Sequence, residues 1–368
     1  MLFLLILCGI IASLACACLI LSGRRFANRY GQDMPQRFHS GDVPRLGGVA
    51  MVVACSVGWF WMVIGERYFG TVNSIAMSPF ETLGWLVPAV VAAVGGTAED
   101  VWHQLRARWR LIFTLVAGIA GVALLGLRIA SLGLPWLDSA WQMTPWPGMV
   151  FAVIAIAGLP HAFNLIDGYN GLAGTVAAIC CLAIAYVALQ LGDREIAGAV
   201  LVLAGATAGF LVWNYPRGLI FAGDGGAYLW GVVIAIACIL LTQRHPQVSP
   251  WFPMLLLSYP VLETVFSIYR KVARGQSPSM ADALHIHQLI YRRIVREVFH
   301  DDEARRMLMR NNRTSPYLWG FASFTVVPAA LFWQHTWVLM AWTVAFIAVY
   351  VWAYVSIVRF KVPRWLRR

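Results

Sequence analysis

Long apolar runs alternate with short polar breaks along almost the whole chain. A helix crossing a bilayer needs about 20 mostly apolar residues, within a range of roughly 17 to 25. Eleven runs approach or reach that length: 1–22, 47–65, 83–96, 111–130, 148–163, 172–191, 197–213, 227–242, 251–269, 317–334 and 336–358. The pattern predicts an all-α integral membrane protein of about 11 transmembrane helices, with residues 1–368 forming a single polytopic domain. No basic residue precedes the first run and Arg24-Arg25 follow it, which favours a retained helix over a cleaved leader.

Composition agrees with this pattern. Hydrophobic residues make up 60% of the chain and charged residues 12%, with a mean hydropathy of +0.68, whereas soluble domains are about 25% charged. Taken alternately, the polar breaks at 23–46, 97–110, 164–171, 214–226 and 270–316, with the tail from Arg359, carry 24 of the 28 Lys and Arg residues. By the positive-inside rule the N-terminus is outside and the C-terminus cytoplasmic.

The net charge of +11 therefore sits beside spans on one side, where anionic lipid headgroups account for it and nucleic acid is not required. The seven cysteines all fall within apolar runs without ligand spacing and read as packing residues. The longest break, 270–316, spaces Ile286, Leu289, Ile290, Ile294 and Val298 at helical intervals, with Arg292, Arg293 and Arg296 between them. That predicts a helix at the cytoplasmic interface. Asp301-Asp302-Glu303 then predict the start of another short helix ending near Arg310.

Only 17 acidic residues occur in 368, and an acid at the edge of hydrocarbon marks a functional site by default. On the predicted cytoplasmic side lie Asp33, His39 and Arg45, then Glu99-Asp100, Asn164 with Asp167, Asp224, and Asp282 with His285 and His287. The other side holds scattered Glu66, Glu81, Asp138, Asp193, Glu195 and His245.

Asn164 and Asp167 are three apart, so one helical turn puts them on one side before Gly168 and Gly171 break it. Taken alone, that island is equally a turn between spans. Asp224 is held among glycines, where backbone approaches a ligand closely or simply turns. Glu99-Asp100 either join the cluster or neutralise Arg106, Arg108 and Arg110. His285 and His287, two apart, would diverge on a helix, which disfavours a zinc pair. Hard oxygen donors at Asp100, Asp167 and Asp224 suit Mg2+ completed by substrate phosphates better than zinc or iron. Arg45 and the imidazoles suit phosphate oxygens.

These segments resemble, in order, those of the polyprenyl-phosphate N-acetylhexosamine-1-phosphate transferases. Asp33-Met-Pro35-Gln-Arg37-Phe-His39 and Pro44-Arg45-Leu-Gly47-Gly48 are similar to the family's Asp-x-Pro, Arg-x-x-His and Pro-Arg-x-Gly-Gly segment. Gly96-Thr-Ala-Glu99-Asp100 resembles Gly-x-x-Asp-Asp, and Asn164 to Leu172 resembles Asn-x-x-Asp-Gly-x-Asp-Gly-Leu. Asn214-Tyr-Pro216 through Gly223-Asp224-Gly225-Gly226-Ala227 resembles Asn-x-Pro followed by Gly-Asp-x-Gly-Ser. Arg274 to Pro278, with Asp282-Ala-Leu-His285-Ile-His287, resembles the final loop with its histidine cluster. Glu99, Asn170 and Gln288 depart from the pattern, standing where the family has an aspartate, a second acid and, in many members, a further histidine.

The resemblance implies transfer of N-acetylhexosamine 1-phosphate from a UDP-sugar to polyprenyl phosphate, with release of UMP and dependence on Mg2+ or Mn2+. It places the active site at the cytoplasmic face of a bacterial inner membrane and the reaction at the start of O-antigen or other envelope polysaccharide synthesis. Asp224 and Asp167 are then expected at the metal, and Asp100, Glu99, Asp167, His285 and His287 in catalysis. Asp33, His39, Arg45, Asn164, Asn170, Asn214 and Asp282 are expected around substrate. A homodimer is left open. Muramoyl-pentapeptide phosphate transfer is the nearest alternative, although its fuller histidine cluster is missing. A secondary transporter would place its broken helices in two matching halves near the midplane, and the acids here gather at span ends on one side.

Overall fold

The computed structural model describes residues 1–22, 43–69, 77–275, 277, 284–295, 298 and 300–359, and every regular element among them is a helix. In chain order these are α1 (Leu2–Ser22), α2 (Gly47–Phe69), α3 (Pro79–Trp102), α4 (Ala107–Leu125), α5 (Pro135–Trp141), α6 (Trp146–Ile166) and α7 (Leu172–Gln190). Next come α8 (Arg194–Asn214), α9 (Gly223–Arg244), α10 (Trp251–Leu256), α11 (Ser258–Ala273), α12 (Ile286–Arg293), α13 (Glu303–Leu331) and α14 (Thr336–Val358). Among the described residues nine helices, α1–α4, α6–α9 and α14, are long and apolar enough to cross a membrane.

Two of the eleven apolar runs differ from that expectation. The 251–269 run is broken at Leu257 into α10 and α11; Pro253 and Pro260 flank the break, and neither has an N–H for a helical hydrogen bond. The 317–334 run is the second half of a 29-residue helix, α13. Asp302 caps that helix by accepting from Ala304 N at 2.9 Å, as its acidic start predicts. No separate short helix ends near Arg310, because the polar turn Asn311–Ser315 finds hydrogen-bond partners on a neighbouring loop and the helix continues.

The run at 83–96 looked short because its ends are polar. In the structure Ser78 and Glu81 form a capping box and Pro79 occupies the first helical position, so α3 begins before the apolar stretch. It ends after Asp100, at His103, whose φ is 53°. This extension carries Glu99 and Asp100 into the last turn of a membrane helix.

α9 lies at the centre, packed against α2, α3, α4, α6, α7 and α8. Every residue from Gly223 to Leu241 is buried, as a helix apolar all round its circumference requires. At Gly96 of α3 a Cβ would run into the backbone of Asp224 and Gly225, so the bare glycine sets how closely α3 approaches the head of α9. α12 is short, and Ile286 to Tyr291 are all buried, His287 and Gln288 included. The apolar positions read as an interfacial stripe therefore face α13 and α14.

The opposite end of the bundle also differs from its sequence reading. Arg244, at the end of α9, pairs with Glu195 at 2.7 Å, Asp193 at 3.6 Å and Glu81 at 3.8 Å, and His245 Nε2 lies 2.9 Å from Asp193. These acids are one network rather than scattered residues, because α3 and α8 start at the level where α9 ends.

Candidate active site

The segment around Arg45 is zipped to the start of α9. Gly47 N and Gly48 N donate to Phe221 O and Ala222 O, each at 2.9 Å, and Phe221 N donates to Pro44 O at 2.9 Å. This fixes Arg45 above two carboxylates: its Nε lies 3.2 Å from Asp100 Oδ1 and its Nη2 3.7 Å from Asp224 Oδ1. Arg110 Nη1 approaches Asp224 from the other side, 3.2 Å from Oδ2. Asp100 Oδ1 also accepts from Asp224 N, and its Oδ2 accepts from Gly225 N, both at 3.0 Å. Asp100 thus closes the open N–H groups at the head of α9, where the helix dipole favours an anion.

The sequence leaves open whether Glu99-Asp100 neutralise the three nearby arginines. The structure separates them. Asp100 pairs with Arg45, Arg110 pairs with Asp224, and Glu99 Oε2 accepts from Leu105 N at 2.8 Å, fastening the turn after α3.

The glycine-broken island meets this site through its two ends. Asn164 lies in the last turn of α6 and Asp167 follows the helix, with Asp167 N donating to Asn164 O at 3.2 Å. Burial pushes the Asp167 carboxyl up to about 7; the Arg45 charge opposes that shift and the Asp224 charge adds to it. At Gly168 a Cβ would lie 3.1 Å from His287 Nε2, so the missing side chain lets the imidazole approach the island. His287 also packs edge-on against Tyr169, with ring centroids 5.5 Å apart.

His285 and His287 stack, with centroids 5.2 Å apart and planes 11° from parallel. They do not diverge as two helical positions would, because His285 is the extended residue before α12. Asn214 Oδ1 accepts from Gly171 N at 2.6 Å while its Nδ2 donates to Ile220 O at 2.8 Å, tying the island to the loop that leads into α9. Asn170 is buried in the same turn. Asp33, His39 and Asp282 lie outside the described residues.

Among the described residues no three His, Cys, Asp or Glu side chains converge into a metal cage. The donor chemistry nevertheless fits Mg2+, which usually takes one or two carboxylates and completes its shell with water and substrate phosphates. Asp224 and Asp167 are hard oxygen donors close enough for the charge of one to raise the pKa of the other.

Two contributors stand out once the fold is known. Arg110 is one of three closely spaced arginines, and the fold selects it for Asp224. Glu263 lies inside an apolar run. A lone acid among Pro260-Val-Leu-Glu263-Thr-Val-Phe266 was itself a signal, since intramembrane acids need partners; here the partners are His285 and Tyr350.

The model of the family described as Glycosyl transferase family 4 matches residues 82–242, a span that takes in Glu99-Asp100, the island and Asp224. A Bacillus subtilis (strain 168) protein named "Probable undecaprenyl-phosphate N-acetylglucosaminyl 1-phosphate transferase" is 30% identical over 268 residues, covering 72% of this chain and 71% of its own. Proteins named undecaprenyl-phosphate alpha-N-acetylglucosaminyl 1-phosphate transferase are 26% identical in Escherichia coli O157:H7, over 73% of this chain and 71% of theirs. The one in Yersinia pestis is also 26% identical, over 69% and 67%.

Proposed function

Because the chain belongs to glycosyl transferase family 4, we propose that it transfers an N-acetylhexosamine 1-phosphate from a UDP-sugar to undecaprenyl phosphate, releasing UMP. The site is assigned to the cytoplasmic face of a bacterial inner membrane, where the positive-inside rule puts these helix ends. The product would begin O-antigen or another envelope polysaccharide. The observation that carries this reading is the ion network of Arg45, Asp100, Asp224 and Arg110 at the head of α9, beside Asp167 and the stacked His285 and His287.

In this reaction a lipid phosphate oxygen attacks the phosphorus that bears the sugar. The bond from that phosphorus to the bridging oxygen breaks, UMP leaves with that oxygen, and the sugar–phosphate linkage is kept. A phosphate monoester has a second pKa near 6, so the acceptor is largely dianionic at neutral pH and needs little help from a base. The barrier lies in bringing two anions together. Asp224 and Asp167 would hold Mg2+ or Mn2+, which would supply positive charge that offsets this repulsion.

The chain's own groups supply the rest. Arg45 and Arg110 hold Asp224 in one orientation and offer donors to phosphate. The filled hydrogen bonds of Asp100 favour orientation of Asp224 over proton removal. His287 packs against the island at Gly168 and Tyr169 and stacks on His285; the two imidazoles would contact phosphate, and Asn164 would position the nucleotide.

The test is purified protein with undecaprenyl phosphate and Mg2+, offered a panel of UDP-sugars that includes UDP-N-acetylmuramoyl-pentapeptide. UMP release from a UDP-N-acetylhexosamine, lost on chelation and in Asp224→Asn, is expected. Release from the muramoyl donor alone would shift the assignment to the peptidoglycan branch, and an Asp224→Asn protein at the wild-type rate would overturn the metal assignment.

A further inference from the structure

Asn170 sits at the tip of the island and is buried, yet its contacts run away from the carboxylates and toward α13. Its backbone N donates to Asn311 Oδ1 at 2.8 Å, its Nδ2 donates to Asn312 Oδ1 at 3.0 Å, and its carbonyl accepts from Ser315 Oγ at 2.6 Å. One residue on, Gly171 O accepts from Trp319 Nε1 at 3.0 Å. Residues 311, 315 and 319 are spaced by four and 312 lies three before 315, so all four form one stripe of a helix. The polar turn in the middle of α13 is therefore explained by the loop it grips.

Asn312 also reaches a second loop, with its Nδ2 donating to Pro216 O at 2.6 Å. That contact fixes its orientation. A carbonyl only accepts, so the Asn312 amide must turn its NH2 toward Pro216 and its oxygen toward residue 170. Whatever stands at 170 must then donate, and an ionised carboxylate has nothing to donate. Asn214 repeats the arrangement from the other side: its oxygen accepts from Gly171 N and its NH2 donates to Ile220 O. Two carboxamides thus join the loop carrying Asp167 to the loop leading into Asp224, each with the same polarity.

We propose that Asn311 and Asn312 of α13 are positioning residues that hold the Asp167 and Asp224 loops in register, and that residue 170 is an amide because it is the receptor of this clasp. This rests on the transfer reaction proposed above. Among the described residues Asn170 Oδ1 has no hydrogen-bond partner, so a direct contact between that amide and substrate is the rival the test must separate.

The test is a double-mutant cycle on UMP release by the purified full chain, with Asn170→Asp, Asn312→Ala and the two combined. Asn170→Asp sets two acceptors against each other, and a coupling of this kind is expected to lower kcat by about tenfold while KM for the UDP-sugar stays within about threefold. With Asn312→Ala already present, the same change is expected to cost less than about threefold, since the opposing oxygen is gone. Asn312→Asp, which still accepts from Asn170 but cannot donate to Pro216, is expected to lose rate as Asn312→Ala does.

An Asn170→Asp penalty equal in both backgrounds, or one confined to KM, would place the amide on substrate and overturn the clasp. If Asn170→Asp fails to fold, the two Asn312 variants decide, and wild-type kcat in both overturns it. The same cycle read by thermal unfolding in detergent needs no UMP. A wild-type chain inactive with every donor would therefore sink the reaction, while the 170–312 coupling still judged the clasp.

Discussion

Nδ1 of His285 lies 3.0 Å from Oε1 of Glu263, a carboxylate with no exposed surface. The same carboxylate accepts from Tyr350 OH at 2.5 Å and from Ile286 N at 3.2 Å. The contacts bring α11, α12 and α14 together at one residue. An ionised carboxylate only accepts, so Nδ1 of His285 carries a proton and Nε2 is the nitrogen presented elsewhere. Glu263→Gln permits the opposite tautomer. Removing a partner that orients a metal-ligating histidine typically costs about 10- to 100-fold; for a histidine oriented toward phosphate, kcat for UMP release is expected to fall by about tenfold, with little change in the melting temperature. Tyr350→Phe, which leaves the His285 contact in place, is expected to cost about threefold or less. Equal rates for wild type and Glu263→Gln would remove Glu263 from any role in catalysis.

The Asp167 carboxyl, raised to about 7 by burial, predicts a pH dependence of metal binding. A ligand carboxylate has to be deprotonated. With Asp167 as the proposed ligand, Mg2+ would have to displace its proton below pH 7 and would meet a carboxylate already charged above it. Apparent Mg2+ affinity should therefore weaken by up to about tenfold per pH unit below 7 and level off above it. Titration calorimetry at pH 6, 7 and 8 reads this directly. Asp167→Asn should bind more weakly at pH 8 and show a shallower slope. A wild-type affinity constant across that range would exclude Asp167 as a ligand.

Which parts of this were legible in the sequence follows from what a local pattern records. The spans were visible because apolar runs report the bilayer directly, and α9 could be recognised as a span from Ala227 onward. Its centrality could not, because burial on all sides and exposure to lipid produce the same apolar string. The helical start of α3 at Ser78 was hidden by polar residues that nonetheless cap it. Asp100, Asp167, Asp224 and His287 could be gathered on one face by charge topology alone, since acids and histidines are costly there. Arg110 could not be told from Arg106 and Arg108, whose spacing is the same and whose partners depend on how α4 packs against α9. Asn311 and Asn312 look like ordinary loop residues in the sequence, because their partners at Asn170 and Pro216 lie 96 to 142 residues away.

At the other end of the bundle, the Arg244 network joins α3, α8 and α9 far from the candidate active site. Its closest pair is Arg244 Nη1 with Glu195 at 2.7 Å, and Asp193 also accepts from Ile196 N as the cap of α8. The Arg244 side chain is 30% exposed, so water and salt screen part of the interaction. Arg244→Gln is expected to lower stability by about 1 kcal/mol, read as a lower melting temperature that converges on wild type at high salt. kcat should be unchanged. A variant that melted normally yet turned over slowly would instead connect this end of α9 to the chemistry.

Arg45 bridges two carboxylates with different nitrogens, Nε to Asp100 and Nη2 to Asp224. Only a planar guanidinium can do this from a fixed stem, and a lysine is a single point of charge. Arg45→Lys keeps the sum of charges at the site and removes the geometry. If the site works by charge balance alone, the variant should keep its rate. If Arg45 holds Asp224 at one angle to the diphosphate, as the two contacts indicate, kcat should fall by about tenfold or more, since small misplacements of reacting groups are costly. Arg110→Lys makes one contact in place of one contact and should be milder, within about threefold. Measuring both in one UMP-release assay, with Mg2+ saturating, separates the two accounts, because charge balance predicts equal effects and bridging predicts that Arg45 dominates.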